Sequence, residues 1–113
     1  MHDHHKAKEM VTFAEEKAIE AKKSKVTKIT VTVGESSGYS PESLRMYFDE
    51  VSQGTVCENA QILIHTPPAM LECPKCGEIF SRKILHYSCP KCGEEGIPSK
   101  TGSEVVFESI ETE

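Results

Sequence analysis

Residues 71–96 read LECPKCGEIFSRKILHYSCPKCGEEG, and the five-residue sequence CPKCG occurs in this stretch twice. In each copy a proline presets φ after the first cysteine, and a glycine that tolerates a tight backbone follows the second. Such a turn lets two sulfurs and nearby amides converge on one ion. Two cysteine pairs with twelve residues between them therefore predict a tetrahedral four-thiolate zinc site, with these ligands: Cys73, Cys76, Cys89 and Cys92.

Other interpretations of the cysteine pairs stay open. Iron in a rubredoxin-like site also suits four thiolates. Two independent redox pairs would need a βαβ context, which the surrounding sequence lacks. A closed four-thiolate site has no open coordination position, so the predicted site is structural rather than catalytic. His86, three residues before Cys89, is interpreted as an alternative ligand, as a partner of a ligand or as a solvated loop histidine.

The segments that flank the cysteine stretch predict an α+β fold. Apolar residues recur at helical spacing from about Asp3 to Lys23, and Ser40 followed by Pro41 is typical of the start of a second helix. Three further segments alternate as strands do: KVTKITVTVGE, AQILIHT and GSEVVFESIE. We expect a small two-layer unit with a three-stranded sheet and two helices, plus a zinc-ribbon module inserted before the last strand.

This order divides the chain of 113 residues into two predicted domains. Residues 1–70 and 101–113 form an α/β domain, and residues 71–100 form a zinc-binding domain with the four-cysteine site. Within that second domain, Phe80 and Tyr87 are interpreted as a small core rather than as a platform for stacking bases. Cys57, the odd cysteine, is expected to be a buried thiol.

Composition argues against several classes of function. Lys and Arg number 13 against 18 Asp and Glu, and a net charge of −5 is unfavourable for gripping a phosphate backbone. No apolar run reaches the length of a membrane span, and the first residues lack a signal-peptide pattern. We therefore expect a cytoplasmic protein with reduced thiols and no membrane or nucleic-acid partner. No nucleophile arrangement or phosphate-binding glycine loop is present, so no enzymatic activity is predicted.

The first ten residues, MHDHHKAKEM, form the second candidate site. The Met1 amine, the His2 backbone nitrogen and the His2 ring nitrogen can chelate one ion. The Asp3 backbone nitrogen or a neighbouring imidazole can complete a square, the geometry that Ni(II) or Cu(II) favours. A tag remnant or solvated histidines would give a similar composition. His4 and His5 are interpreted as supporting ligands at most.

Several stretches in this order resemble the HypA/HybF family of nickel-insertion proteins, accessory factors for [NiFe]-hydrogenase maturation. They are MHDHHKAKEM, VTVGESSG, SLRMYFDEV, the two C-x-x-C turns and the closing GSEVVFESIE. The resemblance spans nearly the whole length. The sequence departs from the family at Asp3, where the family usually has Glu.

This resemblance implies a nickel metallochaperone. It implies a Ni(II) site built on His2 within the first domain, and a separate structural Zn(II) on the four cysteines. It also implies delivery of nickel to the [NiFe]-hydrogenase large subunit together with a HypB-type GTPase, and it leaves a homodimer open. The alternative function is a zinc-ribbon protein-interaction module without nickel transfer. A third hypothesis is an electron carrier with iron in the four-thiolate site.

Overall fold

The computed structural model describes residues 2–81 and 87–113, and that part of the chain contains two helices and six strands. In chain order they are α1 (His2–Glu20), β1 (Val26–Val33), α2 (Pro41–Val51), β2 (Gln61–His65), β3 (Met70–Glu72), β4 (Ile79–Ser81), β5 (Ile97–Pro98) and β6 (Val105–Thr112). Both predicted helices and all three predicted strands are present. The expectations for Met1, the His2 side chain and His86 fall outside the described part of the chain.

The larger sheet has the strand order β2-β1-β6, with β2 parallel and β6 antiparallel to the central β1. A parallel pair needs a crossover connection, and α2 supplies it between β1 and β2. The β1 residues that face the helices are buried, whereas Thr30 and Thr32 on the other face are partly exposed. Those buried residues are Val26, Ile29, Val31 and Val33. The predicted α+β, two-layer unit is therefore confirmed.

Both helices cover one face of this sheet. The apolar stripe of α1 is buried, and its members are Ala7, Met10, Val11, Ala14 and Ala18. Its alanines leave room for the larger Leu44 and Phe48 of α2. The α1 helix ends at Glu20, three residues before the predicted Lys23, because Lys22 adopts a left-handed φ of 57° that stops it. Among the described helices, none has the length and apolar character needed to cross a membrane.

A second, smaller sheet lies in the cysteine stretch, and sequence patterns did not predict it. Its strand order is β4-β3-β5, with both neighbours antiparallel to β3. The interpretation of Phe80 as a core residue is confirmed, since it is buried with Leu71 beside two of the cysteines. The same interpretation of Tyr87 was wrong, because Tyr87 is 40% exposed.

The 34–40 loop (GESSGYS), which follows β1, forms hydrogen bonds with the segment before the cysteine stretch and with the segment after it. The Glu35 N–H donates to the Pro67 carbonyl at 2.9 Å, and the Glu35 carboxylate accepts from the Ala69 N–H at 3.0 Å. On the returning segment, the Ser36 N–H donates to the Gly102 carbonyl at 2.7 Å. The two segments that enter and leave the small sheet are therefore fixed side by side.

Replacing Gly34 by alanine is expected to destabilise this junction by about 3 kcal/mol, because its methyl group would overlap the backbone carbonyl of Gly102. Gly38→Ala is the matched control. Gly38 has a φ of +89° but open space around it, so alanine should cost only about 1–2 kcal/mol. Urea unfolding followed by circular dichroism measures both. Equal losses for the two variants would contradict a steric role for Gly34.

Candidate metal centre

The four predicted cysteines converge at one point of the small sheet. Their Sγ atoms all lie within 4.8 Å of one another. The Cys73 and Cys92 sulfurs are 3.2 Å apart, those of Cys76 and Cys89 are 3.6 Å apart, and those of Cys76 and Cys92 are 3.8 Å apart. Sulfurs at ~2.3 Å from a tetrahedral zinc ion would be about 3.8 Å apart. The four sulfurs therefore form a site that fits a tetrahedral metal ion.

The two CPKCG copies fold as equivalent turns. In the first, the Gly77 N–H donates to the Cys73 carbonyl at 2.9 Å, and the Cys76 N–H approaches the Cys73 sulfur at 3.4 Å. In the second, the Gly93 N–H donates to the Cys89 carbonyl at 2.9 Å. The φ angles of the two glycines are 79° and 78°, a region that glycine adopts without strain. The repeated sequence thus gives a repeated local structure, and each copy contributes two sulfurs.

The thiols of this cluster ionise unequally. Burial opposes ionisation of Cys73, but the backbone N–H of Cys76 and the Cys92 thiol, both directed at its sulfur, lower the pKa of Cys73 to about 6. At Cys92 the Glu94 N–H favours the thiolate, but the neighbouring sulfurs, that of Cys73 first, raise its pKa to about 12. The neighbouring sulfurs therefore disfavour a cluster of four thiolates unless a cation is bound. A bound dication would displace the remaining protons.

The cluster lies at the surface of the small sheet. The first cysteine of each turn, Cys73 or Cys89, is buried, whereas the second, Cys76 or Cys92, is exposed. An ion pair between Lys91 and Glu78, with Nζ and Oε1 3.4 Å apart, joins the second turn to the first. A metal ion in the cluster would therefore have two buried ligands and two exposed ones, and a chelator in solution could reach it.

Cys57 belongs to the other core, as predicted. Its side chain is fully buried in the hydrophobic cluster between the helices and the larger sheet. Burial, with the nearby Glu15 carboxylate as a lesser cause, raises the pKa of the Cys57 thiol to about 11. It is therefore a neutral packing group at physiological pH rather than a nucleophile or a metal ligand.

In the folded protein, Cys57 is expected to resist alkylation. Because its thiol is buried and un-ionised, iodoacetamide at pH 7.5 should modify it at least about 100-fold more slowly than in urea-unfolded protein. Peptide mass spectrometry after timed quenching measures both rates. Rapid modification of Cys57 under conditions where circular dichroism is unchanged would contradict this assignment.

The second candidate site lies at the start of α1, which begins at His2 and contacts the 34–40 loop. The Asp3 carboxylate points toward the loop before α2, where its Oδ2 accepts a hydrogen bond from the Ser40 N–H at 3.2 Å. The sequence patterns assigned Asp3 through its backbone nitrogen and did not predict this contact of its carboxylate. The capping pattern at Ser40 was the one relevant feature, but nothing in it points to a residue 37 positions away.

The next two histidines point to different surroundings. The His4 ring meets Tyr47 of α2 edge-on, with ring centroids 5.3 Å apart and an interplanar angle of 88°. His5 is exposed and lies along a shallow groove on the outer face of α1 with Glu9 and Phe13. The side chains of His4 and His5 therefore lie in different surroundings, His4 against α2 and His5 on the outer face of α1.

Comparison with known proteins identifies the family. Residues 1–112 match the family model described as hydrogenase/urease nickel incorporation, metallochaperone, hypA. The hydrogenase maturation factor HypA of Caldanaerobacter subterraneus subsp. tengcongensis is 38% identical over 114 residues, covering 100% of both chains. A solution structure of a HypA protein matches with a TM-score of 0.78 at 26% identity, over 99% of this chain and 96% of that one.

A second solved structure, the solution structure of the Ni metallochaperone HypA from Helicobacter pylori, shares the fold. It matches with a TM-score of 0.66 at 24% identity, over 97% of this chain and 96% of that one. The family match includes both the amino-terminal helix α1 and the four cysteines. The chain therefore belongs to the HypA family of hydrogenase/urease nickel-incorporation metallochaperones, and it is a maturation factor rather than an enzyme.

Proposed function

We propose that this protein binds Ni(II) at its amino terminus and delivers it to the [NiFe]-hydrogenase large subunit during maturation, while the four cysteines hold a structural Zn(II). The observation that carries the proposal is the match of the whole chain to a nickel-incorporation family. The nickel ligands are the Met1 amine, the His2 backbone and ring nitrogens, and the Asp3 backbone nitrogen. Four nitrogens in a plane suit Ni(II), which prefers square-planar sites.

The position of α1 supports this ligand set. The first four N–H groups of a helix have no acceptor within the helix, and α1 begins at His2. The backbone nitrogens of His2 and Asp3 can therefore turn toward a metal ion without breaking a helical hydrogen bond. The Asp3 carboxylate is already engaged with Ser40, which favours the backbone nitrogen of Asp3 as the donor.

Zinc is the metal proposed for the cysteine cluster. Four sulfurs within 4.8 Å of one another suit a small tetrahedral ion, and the closed set of four ligands leaves no position for chemistry. Iron fits the same ligands, but an iron site would colour the protein. An absorption spectrum together with metal analysis of untagged protein decides between the two.

We assign one metal site to the domain that contains each sheet. We assign residues 1–70 and 101–113 to the nickel-binding domain and residues 71–100 to the zinc-binding domain. The proposed partners are a HypB-type GTPase and the hydrogenase large subunit, and the family description leaves urease as a further destination. The proposed compartment is the cytoplasm, where reduced thiols remain available to zinc.

Isothermal titration of untagged, zinc-containing protein with Ni(II) tests the binding half of this proposal. We expect one Ni(II) per chain with zinc retained. Mixing the nickel-bound protein with nickel-free large subunit, with and without the GTPase, tests delivery by metal analysis of the separated proteins. If zinc were the only metal bound after titration, the protein would instead be a zinc-ribbon docking module.

A further inference from the structure

The first turn of α1 is tied to the chain segment that begins α2. Besides the hydrogen bond from Ser40 to Asp3, the His4 ring packs edge-on against Tyr47. One turn further along α1, the Lys6 ammonium lies 5.5 Å from the centre of the Tyr39 ring. The three contacts come from the first six residues of the chain, and all reach residues 39–47. They hold the start of α1 in a defined place against α2.

Ser40 is a firm anchor because it is also the N-cap of α2. Its Oγ accepts from the Ser43 N–H at 3.3 Å, and its carbonyl accepts from the Leu44 N–H at 2.9 Å. These bonds fix the Ser40 backbone with a φ of −98° and a ψ of 123°. The Ser40 N–H is not used by α2, and it donates to the Asp3 carboxylate. The position of Asp3 is therefore set by α2 rather than by the amino-terminal residues alone.

We infer that Asp3 is a positioning residue of the nickel site and not a carboxylate ligand. This inference rests on the proposed function, which places the Asp3 backbone nitrogen among the nickel ligands. A chain end that moves freely loses conformational entropy when it wraps around an ion. By holding the Asp3 side chain, the Ser40 N–H restrains the adjoining backbone nitrogen before nickel arrives, so less entropy is lost on binding.

Two substitutions at Asp3 separate positioning from ligation. Asp3→Ala removes the hydrogen-bond acceptor, and nickel affinity should fall about tenfold while the absorption spectrum of the Ni(II) complex stays unchanged. Asp3→Asn keeps an oxygen that can accept from Ser40 but loses the carboxylate, so affinity should stay within about threefold of the parent protein. If Asn weakens binding as much as Ala, or if either variant changes the spectrum, the inference is overturned.

A second pair of variants acts on the donor side. Ser40→Pro removes the N–H, and it also requires the Ser40 φ to move from −98° toward the value of about −65° that proline adopts. Ser40→Ala keeps the N–H and removes only the cap hydroxyl, so it is the matched control for the damage to α2. We expect Ser40→Pro to bind nickel about tenfold more weakly than Ser40→Ala, and adding Asp3→Ala to Ser40→Pro to cause no further loss. Equal affinities for the proline and alanine variants would overturn the inference.

The metal-free protein gives a readout that does not depend on nickel. Asp3→Ala should speed the hydrogen exchange of the Ser40 amide, measured by NMR, whereas Asp3→Asn should change it little. The His2→Ala variant separates the two proposals. If the parent protein and His2→Ala bind nickel alike, the proposed amino-terminal site is wrong. If His2→Ala loses nickel while Asp3→Ala binds like the parent protein, only the role of Asp3 is wrong.

Discussion

Replacing His2 by alanine is expected to weaken Ni(II) binding at least about 100-fold while leaving one zinc per chain. The imidazole of His2 is the one side-chain ligand in the proposed set, and it closes a chelate with the backbone nitrogens next to it. Without the imidazole, the remaining donors are an amine and peptide nitrogens. A peptide nitrogen binds a metal only after losing its proton, and it does not lose that proton readily unless the metal is already held by the imidazole. Isothermal titration gives the affinity, and metal analysis gives the zinc content.

His5→Ala is the matched control for this variant. It removes the same chemical group from the same turn of α1, but His5 is exposed beside Glu9 on the outer face of the helix. We expect its nickel affinity to stay within about threefold of the parent protein. Equal losses from the two histidine variants would mean that nickel is held by a histidine cluster instead of by the chain end.

A short extension before Met1 tests the same site without removing any side chain. Adding Gly-Ser converts the Met1 amine into a peptide nitrogen, which is a far weaker donor until it is deprotonated. Affinity should fall to about the level of His2→Ala, and zinc content should not change. An extended protein that titrates like the parent protein would refute the role of the free amine.

The elements of the α/β unit could be predicted because each carries its own periodicity. The predicted apolar stripe of α1, which runs from Ala7 to Ala18, is buried in the core. The apolar positions that alternate in β1 are the ones that are buried. Ser40 is the N-cap of α2, as the Ser40-Pro41 pair predicted. In each case the local pattern and the tertiary packing favour the same structure.

The strand order and the junction could not be predicted from the same patterns. Alternation marks a strand but not its neighbours, so the central place of β1 depends on packing of the complete fold. The close approach of Gly34 to Gly102 joins residues far apart in sequence. The small strands of the cysteine stretch span only two or three residues each, which is too short for a period to be recognised.

The candidate sites differ in how far sequence alone could define them. Two identical CPKCG turns have the same local geometry, so the four sulfurs could be assigned to one metal site from their spacing alone. The surroundings of the amino terminus depend instead on where α2 lies. The hydrogen bond from Ser40 to Asp3 is a tertiary contact, and it gives that carboxylate a role that no local pattern indicates.

Removing zinc is expected to unfold the small sheet while the α/β unit stays folded. In the part of the chain that the structure describes, the buried cluster of the small sheet consists of two apolar residues and two of the cysteines. Such a cluster buries too little apolar surface to offset the conformational entropy of its loops. The larger core is built from both helices and three strands and does not include these cysteines.

NMR of isotope-labelled protein before and after chelation measures this difference residue by residue. Amides of β3 and of the two CPKCG turns should collapse to unfolded shifts, and those of β1 should keep their dispersion. Cys73→Ser should have the same effect without a chelator, whereas Cys57→Ser, which exchanges the same atoms in the other core, should leave the small sheet intact and zinc bound.

Acid should reproduce the effect of the chelator. Zinc needs thiolates, and the pKa of Cys92 is raised to about 12 in the metal-free cluster, so protons compete with the ion at every pH below that value. Zinc affinity should therefore fall steadily as the pH falls, and the small sheet should unfold with it. A small sheet that keeps dispersed resonances after complete zinc removal would show that its few buried residues suffice, and the structural role assigned to the metal would be wrong.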